Sequence, residues 1–563
     1  MAETQVFHEG SPRGVGSLST RAILSLILTI LFLLPVLTAS EAADLVVVNA
    51  RVYTGGPQRG TASAIAVRAG RIVAVGDVST WIGPGARRVD ARGATIIPGL
   101  IDSHGHMASL GESMEVLDLR KEPSVEHIAE LVRKEAAMRK PGEWILGRSW
   151  DQTLWGGVFP TKEPLSQAAP DHPVYLTRVD GHAAWVNRKA LEIAGITAST
   201  PDPPGGKILR ASSGEPTGVL VDRAEDLVSR RIPPASADQI RRRLERAAET
   251  CARLGITTVH DAGVGPEEIA AYRTLIREGR LPIRIYAMIG GPGPLWDEYL
   301  KRGPEIGERL TIRSIKLLAD GALGSRGAAL LAPYSDDPGN SGLLILSREQ
   351  IERVARQAFE HGFQVNTHAI GDRANRVALQ AYGAVLRGHN DRRFRIEHAQ
   401  VVAPGDFELF ARYSVIASIE ATHATSDMRW AQPRLGPERV KGAYAWRRFL
   451  SLGVPLPNGS DFPVEEPNPL RGFYAAVTRQ DESGNPQGGW FPDQRMTREE
   501  ALQSWTLAGA YAAFEEKTKG SLAPGKLADF VMLSGDIMTE PAGQILKTRV
   551  LMTVVDGKVV YEP

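Results

Sequence analysis

Cysteine is nearly absent. Cys251 is the one thiol in 563 residues, so neither an internal disulfide framework nor a thiolate metal cluster can form. Charge of one sign is not in excess either. Sixty-six Lys and Arg face 65 Asp and Glu, for a formal net charge of +1, which gives no electrostatic reason to expect nucleic acid as a partner. One stretch alone is apolar at length, Ala22 to Leu34, continuing past Pro35 to Leu37. That is shorter than the roughly 20 apolar residues of a membrane span. Arg13 and Arg21 precede it, and Thr38, Ala39, Ser40, Ala42 and Ala43 follow. Such an order of charged, apolar and small residues is that of a secretory signal. The arginines are not paired, which argues against a twin-arginine signal, and no cysteine follows to carry a lipid. Residues 1–43 therefore read as a signal peptide. The expectation is an exported protein, periplasmic or secreted, with no stable membrane association once the signal is removed. The alternative is an uncleaved N-terminal anchor.

What is present is an ordinary globular composition, 43% hydrophobic and 23% charged. Short strands punctuated by glycine fill residues 44–95: Leu45-Val46-Val47-Val48, Ala64 to Val67 and Arg71 to Val75. Residues 521–563 look alike, with Ala528 to Leu533, Val550 to Val555, and an Asp556-Gly557 turn into Val559-Val560-Tyr561. Together they suggest a small β-sandwich domain closed by both ends of the chain. Between them, residues 96–520 alternate strands with capped helices. Ser236 and Gln239, Ser347 and Gln350, and Thr497 and Glu500 have capping-box spacing. The run Ala94 to Ile97 leads into the first strand. Further strands are expected at Ile256–Val259, Ile283–Met288, Ser314–Leu318, Phe363–Asn366, Phe394–Ile396, Val415–Ile419 and Val454–Pro457. Eight such units predict a (β/α)8 TIM barrel. Residues 108–234 break the alternation. They are rich in Pro and Gly, carry Trp144, Trp150, Trp155 and Trp185, and read as an insertion or lid after the first strand.

The chemistry sits at the predicted strand ends. His104 and His106 are two residues apart, so an extended backbone turns both imidazoles to one face. Lys316 lies in the fourth strand, His368 and His398 end the fifth and sixth, and Asp461 follows the eighth. Ionisable groups in apolar strands are costly unless paired or ligating, and a barrel's active site lies where these ends converge.

The order His-x-His, Lys, His, His, Asp resembles the amidohydrolase superfamily of metal-dependent hydrolases, and within it the branch of N-substituted formamide deformylase-like proteins. Supporting stretches are Val179-Asp180-Gly181-His182-Ala183-Ala184-Trp185, Lys316 to Arg326, Thr422-His423-Ala424-Thr425-Ser426-Asp427 and Gly520 to Asp529. The resemblance implies a divalent metal, Zn2+ foremost, one or two per chain. His104, His106 and Asp461 would hold one ion, and His368 and His398 a second. Lys316 would be carboxylated and bridge them, and Asp461 would move the proton. A one-metal site with Lys316 merely ion-paired is the alternative. His182, Arg326, Glu420 and His423 are the expected substrate contacts. Glu420 departs from the glutamine that related sequences carry there. The implied reaction is hydrolysis of a C–N bond in a small-molecule amide or formamide. The same site acting on an ester, lactone or phosphoester, and a non-catalytic binding module, are the other readings. A homodimer is expected by analogy with such barrels.

Overall fold

The computed structural model describes residues 42–56, 60–388 and 390–563. The expected signal segment falls outside these apart from Ala42 and Ala43. No helix of the described residues is long and apolar enough to cross a membrane.

The centre is a (β/α)8 barrel. Its parallel strands are Leu100–Gly105 (β1), Ile256–Val264 (β2), Arg284–Gly290 (β3), Leu310–Leu318 (β4), Gln364–Ala369 (β5), Arg395–His398 (β6), Ile416–Glu420 (β7) and Asn458–Gly459 (β8). The ring closes where the Asp461 N–H donates to the His104 carbonyl at 2.8 Å and Phe462 bridges to Gly105. Helices cover the outside, among them Ala237–Arg253, Arg348–His361 and Arg498–Ser504, each opened by the capping box read from the sequence.

Two strands differ from expectation, and each has a physical cause. The run Thr95–Pro98 is not the barrel strand. It lies between Arg51–Tyr53 and Phe530–Leu533 in a second sheet. Gly99 lets the chain pass from one sheet to the other, because a Cβ there would fall 2.4 Å from Thr257 Oγ1. The barrel strand begins at Leu100, so His104 lies inside β1 rather than beyond its end. At the far end, the expected strand Val454–Pro457 shrinks to Asn458–Gly459. Pro455 and Pro457 accept hydrogen bonds from Ala417 and Ile419 but have no N–H to return, so the ladder there is one-sided.

A four-stranded sheet (Leu45–Val48, Ile65–Arg68, Arg71–Val75, Arg87–Asp90) packs on a six-stranded one. The latter joins Arg51–Tyr53, Thr61–Ala62 and Thr95–Pro98 to Phe530–Leu533, Val550–Val555 and Lys558–Tyr561. Leu45, Ile65 and Ile72 meet Ile96, Phe530 and Val554 in one buried cluster. A buried ion pair ties this unit to the barrel. Arg284 of β3 holds both oxygens of Asp529, at 2.8 and 3.1 Å, while the Asp529 carbonyl accepts the Gly99 N–H. Replacing Asp529 by Ala leaves the buried guanidinium with Asp556, at 3.5 Å, as its remaining carboxylate, and should cost about 3 kcal/mol of unfolding free energy in denaturant titrations. Burial raises the Asp529 carboxyl, but the Arg284 charge and hydrogen bond outweigh it and hold it below its ordinary value. Its contribution is thus complete above the unfolded carboxylate value of about 3.9 and lost as pH falls through the lower folded value. A variant that melts like the wild type at neutral pH would refute this coupling.

The insertion is a folded unit. Six strands, Leu117–Asp118, Ile145–Trp150, Val174–Arg178, Ala183–Val186, Gly206–Arg210 and Pro216–Asp222, form one sheet. Trp150 and Trp185 are fully buried and meet edge to face, 6.1 Å apart, with Trp155 against both. These tryptophans build the core of the insertion. The preceding helix Met107–Ser113 belongs to the barrel instead. Its Met107 and Leu110 join the main core, and Gly111 lies against the backbone of Arg243 so closely that a Cβ would clash at 2.2 Å.

Candidate metal centre

A cavity of about 1540 Å³ opens over the C-terminal ends of the barrel strands. His106, Lys316, His368, His398, His423 and Asp461 line its floor, and the insertion supplies one wall. His104 lies just beneath, fully buried. Its Nε2 is 2.8 Å from Lys316 Nζ and 3.7 Å from Asp461 Oδ1. His106 Nε2 is 3.1 Å from the same oxygen, and His423 Nε2 is 3.8 Å from Asp461 Oδ2. His398 packs between, its ring centroid 5.0 Å from His104 and 4.6 Å from His368. His398 and Asp461 take left-handed backbone angles, φ 71° and 56°. Such angles are uncommon for residues other than glycine, and they cluster at sites where geometry is dictated by function.

The imidazoles are prepared as ligands. In three of them Nδ1 is tied: His104 to Glu397 at 2.6 Å, His106 to the Ala262 carbonyl at 2.8 Å, His398 to Glu420 at 2.7 Å. An Nδ1–H donated to such acceptors fixes the tautomer and leaves the Nε2 lone pair for a cation. Burial holds His104 and His368 well below the ordinary imidazole value and His398 at about 3, so all three are neutral. Burial likewise lowers Lys316. Among the described residues, His368 Nε2, His423 Nε2 and Glu420 Oε1 are buried without a hydrogen-bond partner. Buried lone pairs without donors are expensive in an apolar setting and are the atoms a cation would satisfy. One group able to hold an ion is His104, His106 and Asp461, and another is His398, Glu420 and His423. This oxygen and nitrogen donor set fits a divalent metal of the Zn2+ class.

The structure brings His104, His106, Lys316, His368, His398 and Asp461 together. The four expected substrate contacts separate. His182 reaches the site from the insertion, its ring 5.2 Å from His368. Its Nδ1 is 2.8 Å from Asp222, and although burial opposes protonation, that carboxylate pushes the imidazole up to about 9. His423 lines the cavity and stacks on His398 at 5.9 Å. Glu420 stands behind His398, off the cavity wall. Arg326 turns away and pairs with Asp336 at 3.0 Å. His260 lies inside β2 against Arg395 at 3.0 Å.

Sequence reasoning missed Glu397 and Asp102. Arg395 and Glu397 alternate on β6, pair at 2.8 Å with no exposure, and orient His104 from below. Their i, i+2 spacing beside His398 is a signal that could have found them. Asp320 accepts N–H groups from Ala329, Ile370 and Gly371, and so holds the loops after β4 and β5. Asp102 accepts from Ser460 Oγ at 2.6 Å across the barrel seam.

Comparison with known proteins agrees with this geometry. The model of the amidohydrolase family matches residues 87–561. The protein LONG AFTER FAR-RED 3 of Arabidopsis thaliana is 37% identical over 93% of this chain and 92% of its own length. An N-substituted formamide deformylase of Arthrobacter pascens is 28% identical over 93% of this chain and 99% of its own. The crystal structure of a metal-dependent hydrolase from Pyrococcus horikoshii superposes with a TM-score of 0.73 at 29% identity, covering 89% of this chain and 99% of that one.

Proposed function

The chain belongs to the amidohydrolase family and is a metal-dependent hydrolase, and from that premise we propose that it cleaves the C–N bond of a small-molecule amide or N-substituted formamide. The observation that carries the proposal is Asp461. Its two oxygens face His106 Nε2 at 3.1 Å and His423 Nε2 at 3.8 Å, at the floor of the cavity. A divalent cation held by His104, His106, Lys316, His368, His398 and Asp461 would supply Lewis acidity, activating water and polarising the substrate carbonyl. Asp461 accepts the proton of the attacking water and delivers it to the departing amine, which an amide needs and an activated ester does not. His182, kept protonated by Asp222, donates a hydrogen bond into the cavity toward the substrate oxygen. Lys316 is carboxylated in this reading. Burial favours its neutral amine, the form that adds CO2, and the carbamate turns a repelling cation into an anionic ligand. The relative named for formamide deformylation supports the choice of bond. Residues 1–43 support export as the setting.

The test is a matched panel of a formamide, an acetamide, an ester and a phosphoester of one aromatic amine or alcohol. Measurements use protein as purified, stripped with chelator, and reloaded with Zn2+ or Mn2+. Turnover of the formamide or amide, lost on stripping and regained on reloading, is the expected result. Turnover confined to the ester or phosphoester would replace the C–N reading by the second one.

A further inference from the structure

The wall above Asp461 carries two arginines that the proposed chemistry leaves unused. Arg120 and Arg148 both line the cavity, from the end of Leu117–Asp118 and from the paired strand Ile145–Trp150. Arg120 Nη2 donates to the carbonyl of Pro463, two residues past Asp461, at 3.2 Å. Arg148 reaches Ser149 Oγ at 3.3 Å and the carbonyl of Ser109, three residues past His106, at 3.5 Å. Both guanidiniums therefore stand beside the metal centre. Among the described residues, neither lies within ion-pair distance of a carboxylate, and Arg120 Nε is buried without a partner. Of the other arginines of the cavity, Arg178 pairs with Asp151 and Asp180, Arg429 with Asp151, and Arg471 with Glu466 and Glu482, while Arg223, also without an ion pair among the described residues, is exposed to solvent. The acids nearest the two are engaged elsewhere. Glu112 pairs with Arg243 at 3.0 Å, and Asp118 accepts the Arg120 backbone N–H at 3.1 Å. Burial, and then the charge of Arg120, push Arg148 down to about 10. Glu112, Asp118 and Asp461 act on Arg148 through space, but neither guanidinium of this partly buried wall has an anion in direct contact.

We propose that Arg120 and Arg148 form an anion subsite, and that the amide substrate carries a carboxylate on the side of the scissile bond facing the insertion. The guanidinium fork matches a carboxylate through two parallel hydrogen bonds. This deepens the C–N reading and rests on it for the bond that is cut, though not for the binding of the anion.

Two measurements keep the two readings apart. In the first, N-formylphenylalanine and N-formylphenethylamine, which differ by the carboxylate alone, are compared as substrates. The ratio of their kcat/KM values should favour the carboxylate by about 10- to 100-fold and fall about 10-fold or more in Arg148→Gln and in Arg120→Gln, mainly through KM. A ratio near one in the wild type, or a ratio unchanged in both variants, overturns the subsite. In the second, phenylacetate and phenethyl alcohol are titrated calorimetrically into wild-type and variant proteins whose thermal melts match. Phenylacetate should lose about 10-fold in affinity in each variant, and equal affinities in all three proteins overturn the subsite. Loss of phenylacetate binding without turnover of either formamide would uphold the subsite and refute C–N hydrolysis. Turnover of both formamides at equal efficiency would do the reverse.

Discussion

Asp461→Asn should lower kcat on a formamide or amide substrate by about 10³- to 10⁴-fold while leaving the fold and most of the bound metal in place. The substitution keeps size and shape and removes one charge. Burial works against ionisation of Asp461, but the adjacent His106 and His423 imidazoles hold the carboxyl well below its usual range. The wild-type group is therefore a carboxylate throughout the working pH range, ready to accept a proton, and an amide is not a base. The Asp461 N–H bond to the His104 carbonyl, which closes the barrel, is a backbone contact and survives the change. Loss of turnover with retained circular dichroism and retained metal is the expected combination. A variant that keeps a tenth of the wild-type kcat would show that Asp461 does not carry the proton.

Lys316→Ala should remove about one metal equivalent per chain, abolish a mass increment of one CO2, and cut activity by at least about 100-fold. Lys316 Nζ sits 2.8 Å from His104 Nε2, a contact in which an ammonium would compete with a metal for the same lone pair. Carboxylation removes the competition and adds an oxygen donor, so the effects on metal content and mass should appear together. Metal analysis of protein purified with bicarbonate and without chelator, alongside intact mass, reads both. One metal and no added mass in the wild type would establish a mononuclear centre in which Lys316 serves only as a neighbouring charge. An unchanged metal content in the variant would dismiss Lys316 as a ligand.

The barrel was legible because its strands are apolar runs between capped helices, and the capping boxes at Ser236, Ser347 and Thr497 formed where the spacing put them. The six ligand-type residues were legible because an ionisable side chain in such a run is costly unless it is paired or ligating. What was not legible depends on which partner a strand takes. Ala94 to Ile97 has the pattern of any buried strand, and nothing local shows that Thr95–Pro98 pairs with Phe530–Leu533 rather than with β2. Nor does sequence show direction. Arg326 sits in a motif stretch and Glu420 two residues before another, yet Glu420 turns to His398 and Arg326 to Asp336. The tryptophans of the insertion could equally have faced a ligand or one another, and packing settled them inward.

The pairing of Ile96 with Met532 also sets a timetable. A chain still on the ribosome, with residues past 530 unmade, already contains every ligand of the metal centre. It lacks the neighbour that holds Thr95–Pro98, and β1 continues from that strand after a single glycine. Contacts so remote in sequence form late. The centre is therefore expected to be complete only once residues 530–533 have been made and paired with Thr95–Pro98.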